Sequence, residues 1–324
     1  MRGEDPMIRT RSLSVAFFAI TSALAAAATV ACGSSASDRS FQDGQDPSTS
    51  SDGTTPSGNL VGDADPSSNP AKDASADHAA PAIEVVYAHT ASTLYKVDGK
   101  TNAITTVGPF QDCNDQVIDL AIDKDSNAFV TSFSGLYRLD LATAKCSLVK
   151  SGDFPNSLSF VPVGTLDPTN EVLVGYLGAT YVRIDTTTGE TKSVGGLTGG
   201  YTSSGDIVSV IGGGTFLTVK GNSCFDCLVQ VDPKTGDLLQ NYGTLGHSSV
   251  YGLAFWGGNA YGFAESGAVF VIKYKPGAGG TAGSLLVADL AIPGGSTGIA
   301  WYGAGSSTAV PVTDEDGGTI PVIK

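Results

Sequence analysis

Thr93-Leu94-Tyr95-Lys96-Val97-Asp98 returns as Gly135-Leu136-Tyr137-Arg138-Leu139-Asp140, then as Thr180-Tyr181-Val182-Arg183-Ile184-Asp185 and as Cys227-Leu228-Val229-Gln230-Val231-Asp232. A decayed fifth copy reads Ala268-Val269-Phe270-Val271-Ile272-Lys273. The last positions of the copies are 98, 140, 185, 232 and 273, so the unit recurs every 41 to 47 residues. Apolar residues alternate within each copy, as in a strand with one face turned inward. A period of about 40–50 residues is that of a four-stranded propeller blade.

Working outward, each copy runs into a turn, most clearly in Asp185-Thr-Thr-Thr-Gly189 and Asp232-Pro-Lys-Thr-Gly236. Asp accepts hydrogen bonds from backbone N–H groups two or three residues on, and Gly supplies the positive φ that closes the hairpin. These Asp residues are therefore read as turn caps and not as catalytic acids. Two strands precede each copy. The candidates for the innermost strand are Val117–Ile122, Ser157–Val163, Asp206–Ile211, Tyr251–Trp256 and Thr297–Tyr302. The second strands are Val85–His89, Ala128–Ser132, Val172–Tyr176, Thr215–Val219 and Ala260–Ala264. The repeat region thus begins on a second strand and ends on an innermost one. That order predicts an all-β ring of five four-stranded blades, closed by pairing the two ends of the chain in one blade, which removes the exposed sheet edge. A further strand at Ser307–Val312 would instead give a sixth, incomplete blade.

The unit Leu228-Val-Gln-Val-Asp-Pro-Lys-Thr-Gly236 resembles those of quinoprotein-like and related bacterial propellers, at the level of the superfamily. Quinone-dependent members carry a Trp after the Thr-Gly in many blades. Lys192 and Gln240 fall near that place here, and Trp256 and Trp301, both read onto innermost strands, are the chain's only tryptophans. The resemblance therefore implies the propeller without its cofactor, and no cofactor is expected.

The 324-residue chain carries 18 Lys+Arg against 32 Asp+Glu, a formal charge of −14. Phosphate backbones are held mainly by Lys and Arg, so nucleic acid is not an expected partner. The acid is unevenly placed. Residues 33–82 hold eight Asp and two basic residues, with eleven Ser, five Pro and five Gly. So few apolar groups cannot offset the entropy of ordering, and a disordered tether over 32–82 is expected, with His78 given no role. As a flexible coil it would reach roughly 40 Å. The propeller domain is assigned to 83–324.

Residues 1–31 read as an export signal. No charge occurs from Leu13 to Ala31, and Arg9 and Arg11 stand just before that run. Glu4 and Asp5 fit such a segment badly, so Met7 is expected to be the true start. The run ends Ala28-Thr29-Val30-Ala31-Cys32-Gly33, which resembles a bacterial lipobox, with Thr29 where the pattern prefers Leu. The resemblance implies acylation of Cys32 and attachment to a membrane through lipid. Gly33 after the Cys implies an outer-membrane or cell-surface address. Simple cleavage after one of the Ala residues, and an uncleaved apolar anchor, are the alternatives.

Four Cys remain, in a domain expected to lie outside the cytoplasm, where disulfides persist. Pairing inside Cys224-Phe-Asp-Cys227 leaves Cys113 with Cys146. Cys113 precedes an innermost strand and Cys146 begins an outermost one, positions that tend to opposite faces, so the loop around Pro109–Gln116 must bring them together. Zinc at Cys224 and Cys227 lacks further ligands nearby, and Asp226 beside the pair opposes the lowered thiol pKa a redox site needs.

Signatures of catalysis are sparse. His89 and His247 have no nucleophile pattern nearby, and Gly212-Gly213-Gly214 is a turn with no helix after it to hold phosphate. Asp123, Asp125 and Asn127 alternate as in a calcium loop, but Ser134 stands at the twelfth position and a hairpin turn is needed there. Asp314-Glu-Asp316 reads as a solvated acidic tail. The leading expectation is a non-enzymatic, membrane-tethered propeller that presents a ring of loops to a protein or glycan. A hydrolase or lactonase with a metal near the central channel is the alternative, and a structural envelope component is the third.

Overall fold

A computed structural model describes residues 85–277 and 283–313. The expected signal segment, Met7, Cys32, His78, the expected tether and the Asp314–Asp316 stretch lie outside the described residues. Twenty strands form five four-stranded antiparallel sheets arranged in a ring, a five-bladed β-propeller. Blade 2 comprises β4 (Val117–Ile122), β5 (Ala128–Ser132), β6 (Gly135–Asp140) and β7 (Lys145–Ser151), counted from the axis outward. Blade 3 follows with β8 (Leu158–Val161), β9 (Val172–Leu177), β10 (Thr180–Ile184) and β11 (Thr191–Gly196). Blade 4 has β12 (Thr202–Val210), β13 (Gly214–Gly221), β14 (Cys224–Val231) and β15 (Leu238–Thr244). Blade 5 has β16 (Val250–Trp256), β17 (Asn259–Ala264), β18 (Val269–Lys275) and β19 (Ser284–Asp289). Blade 1 joins both ends of the described chain: β20 (Gly303–Gly305) is innermost, followed by β1 (Val85–His89), β2 (Thr93–Asp98) and β3 (Ile104–Pro109).

The burial gradient explains which sequences make which strands. β4 and β5 are buried at every position because both faces pack against neighbouring blades, whereas β7 and β11 are mostly open to solvent. The inner strands touch in the cyclic order β4, β8, β12, β16, β20 and back to β4. The core consequently lies in layers between blades. Trp301, fully buried, meets Tyr95 and Phe263 edge-on across the layer between blades 1 and 5. Trp256 covers Gly99, where a Cβ would fall 2.3 Å from the indole.

The repeated Asp caps its turn in each of the four copies that keep it. Asp98 accepts from the N–H groups of Lys100 and Thr101, Asp140 from Ala142, Asp185 from Thr187 and Thr188, and Asp232 from Lys234. These N–H groups hold the carboxyls of Asp98, Asp140 and Asp185 below the usual range. Gly189 and Gly236 close their turns with φ of 70°. In blades 1 and 2 Asn102 and Ala144 hold the same left-handed position.

Two expectations about the closing region are corrected. The innermost strand of blade 1 is Gly303–Gly305 and not Thr297–Tyr302. Gly294, Gly295 and Gly298, all with positive φ, keep the preceding segment in turns. The crowded axis then admits only small residues, since a Cβ at Gly303 would lie 2.3 Å from His89 Nε2 and one at Gly305 2.6 Å from the Leu120 carbonyl. Trp301 accordingly lies ahead of the strand. Ser307–Val312 makes no sixth blade either. It crosses one end of the ring as a plug: Ser307 Oγ donates to the Asp123 carbonyl (2.9 Å), Thr308 Oγ1 to Glu171 (2.6 Å), and the Thr308 and Pro311 carbonyls accept from Ile211 and Gly258.

Both expected disulfides, Cys113–Cys146 and Cys224–Cys227, are formed. The loop after β3 brings the first pair together by laying Gln111 beside Lys145 of β7. There the Gln111 N–H donates to the Ala144 carbonyl and its own carbonyl accepts from Cys146 N–H, at 3.0 and 2.8 Å.

Candidate functional site

The plug occupies the end of the ring where the innermost strands finish. At the other end, where those strands begin, the channel opens into a cavity of about 290 Å³. Every blade contributes to it: Phe133 and Ile118 from blade 2, Asn156 ahead of β8, Gly205 from β12, Tyr251 and Glu265 from blade 5, and Tyr302 just before β20. The rings of Tyr251 and Tyr302 stand 6.0 Å apart at 58°. Phe133, in the turn between β5 and β6, is 60% exposed at the rim.

One residue further along the inner strands lies the floor. Asp119 follows Ile118, Asp206 follows Gly205, and both are completely buried. Asp119 accepts from the N–H groups of Leu120 (2.8 Å) and Leu158 (2.5 Å), and Asp206 from those of Ile207 and Leu253 (both 2.6 Å). The Ala304 N–H also supports Asp206, and the two carboxyls hydrogen-bond to each other. Five blades therefore meet on two side chains. Burial raises both pKa values well above the ordinary carboxyl range, and the Asp206 charge raises Asp119 further. Two buried carboxyls in contact cannot both ionise, so the pair retains at least one proton.

His89, the last residue of β1, completes this layer. Its Nδ1 lies 3.0 Å from the Thr90 carbonyl, while Nε2 is buried and has no hydrogen-bond partner. Burial lowers its pKa to about 4, so the imidazole is neutral and the bond to Thr90 assigns the proton to Nδ1. The absent Cβ of Gly303 makes room for it, and the same point lies 3.0 Å from Asp119 Oδ1.

The other sequence candidates fall elsewhere. Asp123 Oδ1 accepts from the N–H groups of Asp125 and Asn127, and Oδ2 from the Asn127 amide, so the carboxylate is spent on its hairpin turn beside the plug. Asp125 pairs with Lys124 on the surface. Among the described residues, no group of three or more His, Cys, Asp or Glu is placed to hold a metal ion. His247 stacks on Phe270 and faces Asp289 at 3.1 Å, away from the mouth. A wider groove of about 780 Å³ runs between blades 1 and 2, but its cations are engaged: Arg138 with the Thr186 carbonyl and the Phe129 ring, Lys145 with Asp112 and Lys96 over Tyr87.

Sequence reading missed the mouth and its floor. The signal was an acid inside otherwise apolar inner strands, Val-Ile-Asp119-Leu-Ala-Ile and Gly-Asp206-Ile-Val-Ser-Val. No protein-family model matches the chain, and comparison with curated proteins finds no match.

Proposed function

We propose that this is an exported, lipid-anchored propeller that binds a protein or glycan partner at its open channel mouth. One observation carries the reading: the ring is plugged at one end, and at the other all five blades converge on a cavity walled by half-buried tyrosines. A cavity with an apolar wall and few polar groups is the usual form of a ligand site. The described chain enters on β1, whose Tyr87 pairs with Gly305 and whose His89 pairs with Gly303, so β1 rises from the plugged end toward the mouth. The lipobox-like segment ending in Cys32 and the two disulfides support an address outside the cytoplasm.

A hydrolase would need an acid at the axis open to substrate and water. Asp119 and Asp206 are sealed beneath the mouth with their oxygens taken by backbone N–H groups, a clamp and not a catalytic pair. Affinity capture from envelope extracts tests the proposal. The intact chain should enrich a partner that the Tyr302→Ala variant, equally folded, does not. Equal enrichment by both would refute a role for the mouth.

A further inference from the structure

We propose that the mouth is an aromatic cage for an organic cation, a methylated or quaternary ammonium group at the end of its partner. The inference rests on the mouth being the binding site and names the chemistry it takes. Three aromatic residues reach it from separate connections: Phe133 from a turn of blade 2, Tyr251 from the start of β16 and Tyr302 from the approach to β20. The two tyrosine rings meet at 58° with centroids 6.0 Å apart, so they form two walls of a corner and not a stack. A cation in that corner can lie within about 6 Å of both ring centres, the range in which the negative faces of aromatic rings attract it.

Charge points the same way. The lining holds one carboxylate, Glu265, and no Lys or Arg. One residue beneath, His89 beside the Asp119–Asp206 pair is neutral and opposes no cation. The whole chain carries −14. The hydrogen-bonding inventory disfavours a neutral sugar seated in the cavity. Only Asn156, Glu265 and the tyrosine hydroxyls offer side-chain polar atoms among the lining residues, and each unpaired hydroxyl buried there would cost about 1–3 kcal/mol. An ammonium capped by methyl groups asks for no hydrogen bonds. At about 290 Å³ the cavity is the size for a headgroup.

The test titrates the full-length chain with choline chloride, with 3,3-dimethylbutanol (the neutral compound of the same shape) and with a short peptide carrying trimethyllysine. Choline or the peptide should bind saturably, one per chain, with the neutral compound at least about tenfold weaker. Whichever of the two cations binds tighter shows whether the group is free or carried by a protein. Tyr251→Ala should weaken binding about tenfold, and Glu265→Gln, an exposed change that leaves the fold intact, about threefold to tenfold. Equal affinity for choline and 3,3-dimethylbutanol, or cation binding unchanged in both variants, would overturn the cage. Loss of partner capture in Tyr302→Ala without binding of any cation would overturn the cage alone and leave the mouth as the binding site.

Discussion

The carboxyls of Asp119 and Asp206 hydrogen-bond to each other on the propeller axis, and each reaches one blade further, Asp119 to the Leu158 N–H and Asp206 to the Leu253 N–H. A ring of independent sheets has no covalent reason to keep its centre closed. Here one shared proton and a set of backbone donors tie blades 2, 3, 4 and 5 together, with Ala304 bringing in blade 1.

That pair makes stability depend on pH in a stated direction. Both pKa values are raised on folding, so the folded chain holds a proton that the unfolded chain releases above about pH 4. The stabilisation is complete below the unfolded value and declines as pH rises toward the folded one, by about 1.4 kcal/mol per pH unit for each extra proton. Asp119→Asn supplies a neutral donor to Asp206 and should flatten this slope. Urea unfolding of both forms at pH 5, 6.5 and 8 measures it, and parallel slopes would remove the shared proton from the account.

Truncation of the same residue is a different matter. Asp119→Ala strands the N–H groups of Leu120 and Leu158 and leaves Asp206 alone, each orphaned group costing about 1–3 kcal/mol. A loss of at least about 3 kcal/mol is expected in denaturant titration, well above that of Asp119→Asn.

The turn glycines separate backbone strain from collision. Gly212 and Gly236 have φ of 73° and 70°, but a Cβ at Gly212 meets nothing within 4 Å while one at Gly236 falls 2.4 Å from Tyr181 Cβ. Gly212→Ala should cost about 1 kcal/mol and Gly236→Ala about 3 kcal/mol or more, read as unfolding midpoints.

The two disulfides should differ in the same assay. Cys113–Cys146 spans 33 residues and joins the loop after blade 1 to the outer strand of blade 2, whereas Cys224–Cys227 spans 3. By loop-closure entropy the first is worth about 3–4 kcal/mol and the second about half of that. Replacing each pair by Ser, with equilibrium unfolding compared, checks the order.

Much of this fold was legible because the blade repeats a pattern that physics enforces. Apolar alternation and an Asp cap recur from Thr93 through Asp232, with a turn glycine in the third and fourth copies, and the repeat region's beginning on Val85–His89 foretold closure across its ends. Gly303–Gly305 was not legible as a strand, since Gly-Ala-Gly carries no strand propensity and is chosen by the crowding of His89 and Leu120. The site was hidden for a related reason. Ile118, Asn156, Gly205, Tyr251 and Tyr302 follow no repeated residue pattern, and only the ring's symmetry brings the starts of five inner strands to one mouth. His89 looked solitary because its neighbours, Gly303 and Asp119, are far away in sequence.

The most direct measurement places a photo-crosslinking side chain at Phe133, on the rim of the mouth, and separately at Leu239, exposed on the outer strand of blade 4. In intact envelopes, Phe133 should give a discrete adduct that Leu239 does not, and Tyr251→Ala should abolish it. Adducts of equal yield at both positions, or a Phe133 adduct indifferent to Tyr251→Ala, would contradict the mouth as the functional end of this propeller.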